Sequence, residues 1–440
     1  MQTRNLRIRT RLIAGIFLIF SAAGYNASSQ TGSIRINEFL ALNQTGLTDE
    51  DGDYSDWIEI YNPGSEDIDL VNWSLTDNKS QSRLWVFPDI TLRKESYLVV
   101  FASGKNRRKT GEELHTNFKI SGDGEYLALF NSSGKVATSF DPSFPLQQTD
   151  ISYGYLNGSY ISFRVPTPGT GNDPSGGTLP AAPVFSRKHG FYDAPFSLEI
   201  SSADPEAQLY YTTNGNAPDL DYGTLYTSPL NIESTSIIRA VCIKNNQVQG
   251  RITTQTYLFP DDIIHQPNNP AGYPSTWGLF LSIEGIAPAD YEMDPEMIAD
   301  SAFANSVREA LYDLPVISLV TSRGYFFSKT MNPDTGGIYI YTGTSQGPGY
   351  GWERPVSFEY FNAKDSVSFQ ADCGVQIQGG EGRRPEKSPK HSFRLLFKSE
   401  YGPSKLNYPI FGDAAVSEFN SVILRAGFGN TWIHWSHSER

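Results

Sequence analysis

Two cysteines in 440 residues leave no disulfide framework to staple this chain together. Cys242 and Cys373 also lie far apart, in segments of different character. Positive charge is scarce: 35 Lys and Arg stand against 48 Asp and Glu, a net charge of -13. Neutralising a phosphate backbone takes a cationic surplus, so a general nucleic-acid binder is excluded, although a local basic site is not. Methionine is rare, with four residues against 24 Tyr and 26 Phe, while Gly (39) and Pro (27) are plentiful. That balance favours short strands joined by many turns.

The apolar run "LIAGIFLIFSAAGY" (12–25) is too short to span a bilayer comfortably. Arg4, Arg7, Arg9 and Arg11 precede it and small residues follow, which reads as an export leader over 1–29 cleaved after Ala23 or Ser29. The alternative is an uncleaved anchor. The expectation is a secreted or cell-surface protein with no transmembrane span after cleavage.

The length predicts two to four domains. From 32 to 165, β-like runs such as "SIRINEFLAL", "DWIEIYN", "SYLVVFAS" and "EYLALFN" alternate with Gly, Asn, Asp and Ser. Helical periodicity is missing there, so a sandwich of short strands is predicted, with Trp57, Trp73 and Trp85 as core or rim residues. Residues 166–182 are rich in Pro, Gly, Ser and Thr and predict a linker. A second sandwich is predicted over 183–259, with turn chemistry in "TTNGNAPD" (212–219). A connector, 260–312, holds a helix start at Asp294-Pro295-Glu296, and Phe303, Val307, Leu311 and Leu314 then recur at helical spacing. Residues 313–440 are of mixed pattern and predict an α+β domain cut short at Arg440. The fold class expected is therefore multidomain and mainly β: two immunoglobulin-like β-sandwiches followed by an incomplete α+β kinase-like domain.

Three resemblances bear on function. "INEFLALN", "DEDGDYSDWIEIYNPG", "LWVFPDITL" and "LHTNFKISGDGEYLALF" make residues 33–165 resemble the bacterial lamin-tail domain, which implies a non-catalytic binding or display module. "PVFSRKHGFYDAPFSLEIS" and "LYYTTNGNAPD" make 183–259 similar to the chitobiase/β-hexosaminidase C-terminal module, a non-catalytic sandwich. "WERPVSFEYF" and "CGVQIQGGEGRRPEKSPKHSFRLLFKSEYGPSKLNYPIFGD" make 313–440 resemble the N-terminal part of a CotH-type atypical kinase domain, named for a spore-coat protein. That resemblance implies ATP with Mg²⁺ or Mn²⁺ and a secreted protein acceptor, with the catalytic acids further along than this chain reaches. No catalytic residue is assigned, and this chain is expected to be inactive as a kinase. The alternative is a non-catalytic adhesin that binds a cell-surface glycan or envelope component.

Two stretches carry candidate chemistry. In "TDEDGDYSDWIEIYN", Asp49, Asp51, Asp53 and Asp56 either collect oxygen ligands around Ca²⁺ or bond local backbone N–H groups in a turn. Counted from Asp49, Gly52 falls at position 4, so the loop is no EF-hand, and no His or nucleophile neighbours it in sequence. In "GGEGRRPEKSPKHSFRLLF" (379–397), Gly379 and Gly380 permit a loop whose N–H groups face an anion. Arg383, Arg384, Lys387, Lys390 and Arg394 supply positive charge there, so the loop reads as a nucleotide-phosphate site or a solvated basic turn. On the strand that follows, alternation puts Lys390, Ser392 and Arg394 on one face and His391, Phe393 and Leu395 on the other. His434 and His437 are three apart, but no further metal ligand can be named beside them.

Overall fold

The computed structural model describes residues 26–29, 34–245, 247–248, 250–276, 288–340, 349–364, 367–380, 383, 391–412 and 416–426. Two sheets form the first unit. One runs Asn26–Ser29, Val136–Asp141, Leu127–Phe130, Ser74–Thr76, Trp85–Val86; the other runs Thr178–Leu179, Ser159–Phe163, Ser152–Leu156, Arg35–Leu40, Trp57–Asn62, Ser96–Phe101, Leu114–His115. In "WIEIYN", Ile58 and Ile60 face the core shared with Ile36, Phe39, Leu75, Trp85 and Phe140. Trp57 packs with Leu40 and Phe101 in a smaller cluster of its own. The edge strand Asn26–Ser29 begins inside the segment read as a leader, so the expected boundary at 29 cuts through this sheet.

The remaining face of the second sheet carries two carboxylates side by side. Glu38 and Glu59 are cross-strand partners, and both are fully buried. Like charges opposite one another are unfavourable in a sheet, and buried ones need donors. The segment expected as a free linker supplies them. Thr167 donates its N–H (3.2 Å) and Oγ1 (2.8 Å) to Glu38, and Gly169 donates its N–H to Glu59 at 2.5 Å. Ser152 Oγ also donates to Glu38, and Asn37 donates to Glu59 at 2.8 Å. Asn172 bonds the Asn37 and Tyr155 carbonyls, and Thr178–Leu179 then joins the sheet. Composition signalled the absence of a core in this segment but not its use as a polar strap.

The second unit is built on a sheet ordered Gly190–Phe191, Thr253–Leu258, Ser236–Lys244, Gln208–Thr212, Thr224–Leu225. Leu198, Ile200, Ile232, Ile238 and Tyr257 lie in its core. Its 212–219 turn places Gly215 at φ +80°, where a Cβ would come within 2.9 Å of the Thr321 carbonyl oxygen. The third unit is an antiparallel sheet ordered Val316–Val320, Arg354–Asn362, Val367–Gln378, Ser392–Leu396, Ser421–Leu424. It docks on the second unit through Glu359, fully buried on Arg354–Asn362. Glu359 accepts from the Thr256 N–H at 2.9 Å and from Thr256 Oγ1, and it pairs with His189 Nδ1 at 2.8 Å. Cys242 and Cys373 are buried, free and in different units.

The helix predicted from 295 is present but divided. Asp294 caps Pro295–Ala299 and Asp300 caps Ser301–Asp313, each accepting a backbone N–H two residues on. The predicted apolar stripe is not a core stripe: Phe303 is 51% exposed, Leu314 lies past the helix end, and no residue of either helix is buried. Arg308 instead holds the longer helix through Asp193 (2.8 Å) and Asp261 (3.0 Å).

Burial raises the pKa of Glu38 and pushes that of Glu59 to about 8, the hydrogen bonds from Asn37 and Gly169 offsetting only part of the shift. Burial likewise raises Glu125 to about 7 and Asp56 to about 6. A native state that keeps protons the unfolded chain releases loses stability as pH rises between the ordinary carboxyl pKa and these raised values. The melting temperature of the protein is therefore expected to fall between pH 5 and pH 8. In Glu59→Gln, which keeps the shape without the titration, the decline becomes shallower. Identical slopes for the two proteins in a thermal-unfolding series would remove Glu59 as the cause.

Candidate functional sites

The acidic loop folds around Asp49. Gly52, at φ +83°, turns the chain so that Asp49 Oδ1 accepts the N–H groups of Asp51 and Asp53, each at 3.1 Å. Asp49 Oδ2 accepts from Ser55 Oγ at 2.7 Å and from Lys105 Nζ at 2.6 Å. The same ammonium lies 2.6 Å from Asp51 and 2.9 Å from Asp53. Burial works against the charged form of Asp49, but these donors prevail and bring its pKa down to about 2. Three of the four candidate acids thus converge on one point, and a lysine nitrogen occupies it. Asp56 is elsewhere: its carboxylate accepts the Asn43 N–H at 3.0 Å and secures the neighbouring loop.

Folding also brings partners that the local sequence hides. His115, fully buried, points Nε2 at Glu50 Oε2 (2.8 Å) and Nδ1 at Ser103 Oγ (2.8 Å). A second-sphere hydroxyl of this kind fixes the ring orientation for whatever the other nitrogen meets. Glu50, Glu113 and His115 offer ligand atoms within 4.8 Å of one another. The hydrogen bond between the two carboxyls raises Glu113 and lowers Glu50, and Arg107 balances Glu50 and Asp51. Sequence reasoning found no histidine near the loop because His115 arrives by strand pairing, Phe101 opposite His115, from 65 residues away.

The basic stretch divides. Gly379, at φ +113°, ends the strand Val367–Gln378, and the Arg383 N–H donates to the Gly380 carbonyl at 3.2 Å. Arg383 is 4% exposed; its Nη2 donates to the Gly349 carbonyl at 3.2 Å, and its Nε has no hydrogen-bond partner among the described residues. His391 is 5% exposed, lies 4.3 Å from the Tyr339 ring, and has neither ring nitrogen paired among the described residues. Burial, and then the charge of Arg383, pushes the His391 pKa down to about 3. Arg354 is also buried, with an unpaired Nε. Arg394 does not join them: it is exposed, on the pleat face opposite Phe393 and Leu395. Arg384, Lys387, Lys390, His434 and His437 lie outside the described residues.

The Asp49 loop can hold a cation, and Lys105 already supplies one. A Ca²⁺ ion would have to displace that ammonium from three carboxylates. Calcium is accordingly expected to leave the melting temperature of the wild-type protein unchanged and to raise that of Lys105→Met by several degrees. The check is a calcium titration followed by thermal unfolding, and a Lys105→Met protein indifferent to calcium would count against a latent cation site.

Comparison with known families assigns two of the three units. Residues 27–143 match the family model of the Lamin Tail Domain, and residues 187–254 match that of the Chitobiase/beta-hexosaminidase C-terminal domain. No curated protein matches the chain. It is a modular β-domain protein that carries a lamin tail domain and a chitobiase/β-hexosaminidase C-terminal domain.

Proposed function

We propose that this is an exported surface or secreted protein in which two β-sandwiches bind or display, attached to a CotH-type unit that handles phosphate. Export rests on the basic leader and apolar run before residue 25. Of the two cleavage points, the one after Ala23 keeps the edge strand Asn26–Ser29. The phosphate reading rests on one observation. Arg383, beside Gly379, and His391 are both buried and near enough for the arginine charge to lower the histidine's pKa, with three ring and guanidinium nitrogens unpaired among the described residues. Unpaired buried nitrogens are costly, and an anion is the partner that would satisfy the Arg383 Nε–H and the single N–H of the neutral His391 ring. The resemblance of this segment to CotH-type kinases makes a nucleotide phosphate, with Mg²⁺ or Mn²⁺, the proposed anion. A second reading, a non-catalytic adhesin for a glycan or envelope component, draws on the chitobiase-type module, whose family name links it to carbohydrate.

Calorimetric titration of the full chain with tripolyphosphate, and with ATP plus Mg²⁺ or Mn²⁺, separates the two. Binding is expected, at least tenfold weaker in Arg383→Met and unchanged in Arg394→Ala, whose side chain is exposed on the other face. A folded wild-type protein that binds none of these at millimolar concentration would leave the adhesin reading in place.

A further inference from the structure

A cleft of about 580 Å³ lies where the three units meet. The first unit contributes Gln147 and Gln148, the second Arg239 and Arg251, and the third Ser357 and Asp372, with Tyr325 and Tyr401 also in the wall. Two guanidinium groups (Arg239, Arg251) and two carboxylates (Asp372, Glu400) line it, so the ionic side chains cancel. That balance disfavours a phosphate or a free metal ion, each of which would meet charges of its own sign.

The polar groups in the wall are only partly satisfied by the protein. Arg251 Nη2 stands 3.6 Å from Asp372 Oδ2, too far for a hydrogen bond. Asp372 Oδ1 accepts one long bond, 3.2 Å, from Gln370 Nε2. Arg239 spends Nη1 on the Gly215 carbonyl (2.9 Å) and Nε on Thr254 Oγ1 (3.3 Å), leaving Nη2 without a protein partner among the described residues. Ser357 Oγ is buried beside the Asp372 carboxyl and interacts with it, without a bond of ideal geometry among the described residues. The Tyr401 ring lies close to Gly374, where a Cβ would come within 2.7 Å of Cε2, and Lys398 Nζ stands 6.0 Å from its centroid.

A carboxylate flanked by guanidinium groups that it does not saturate matches a partner that donates and accepts through adjacent hydroxyls. Each hydroxyl of a vicinal diol can donate to Asp372 and accept from Arg239 or Arg251. The aromatic ring of Tyr401 in the wall offers apolar surface for a sugar. The volume is within the usual range for a small-ligand pocket. We propose that this three-unit cleft binds a neutral oligosaccharide, with Asp372, Arg239 and Arg251 on a vicinal diol and Tyr401 against a ring face. The proposal rests on the glycan-binding reading, gives it a location, and is independent of the phosphate site at Arg383.

The test is a glycan array of neutral, amino-acetylated and acidic oligosaccharides probed with the full chain, followed by calorimetry on the neutral hits. Arg251→Ala and Tyr401→Ala are expected to weaken binding at least tenfold while thermal unfolding still shows a folded protein. Tyr222→Ala, at an exposed position of the second unit outside the cleft wall, is expected to bind as wild type. Neutral-glycan binding that survives both cleft substitutions would overturn the cleft but keep the glycan-binding reading. Retention of acidic glycans alone would overturn the diol assignment. Retention of no glycan would overturn both proposals.

Discussion

Buried carboxylates govern how this chain is put together. Glu38, Glu59 and Glu359 are each fully shielded from water, and none has a Lys or Arg ion-pair partner among the described residues. A buried acid contributes little stability by itself; it imposes a demand for donors. At Glu38 and Glu59 the demand is met by a strap from outside the sandwich, and at Glu359 by the neighbouring unit. Hydrogen-bond satisfaction thus seats the strap on the first unit and contributes to the docking of the third unit on the second. The junction cleft is a result of that economy, because units joined at polar nodes need not fill the space between them.

What the sequence disclosed was what is local. Alternation in "WIEIYN" and "SYLVVFAS" marked strands, and those segments pair in register, Trp57 with Phe101 through Asn62 with Ser96. Trp57, Trp73 and Trp85 were legible as core or rim residues, and Trp57 and Trp85 are core while Trp73 is partly buried. The Asp49 turn was readable as one of two alternatives because side-chain-to-backbone bonds span only a few residues. Lys105 and His115 were not readable, since sheet pairing across more than fifty residues delivers them. Pattern also misled at Phe303 and Leu314: helical spacing records which residues share a face, not whether anything covers that face.

The basic stretch illustrates the same limit. Strand alternation correctly separated His391 from Arg394, and the structure keeps them on opposite faces. What alternation could not show was that Arg383 would fold inward, near enough to influence the histidine, instead of joining the exposed arginine. Charge counting treats a run of cations as one patch. Among the described cations of this run, Arg383 is interior and Arg394 solvated.

The strap from Pro166 to Leu179 has a mechanical consequence. Once it is seated, four residues, Pro180 to Pro183, connect Leu179 to the first strand of the second unit at Val184. At full extension such a leash reaches about 14 Å. Tension applied across the chain would load the Thr167 and Gly169 bonds and the short Thr178–Leu179 pairing before it reached either sandwich. Peeled away, those fourteen residues would have a contour of about 45 Å, and the excess over their seated span would act as a reserve of length between the two domains.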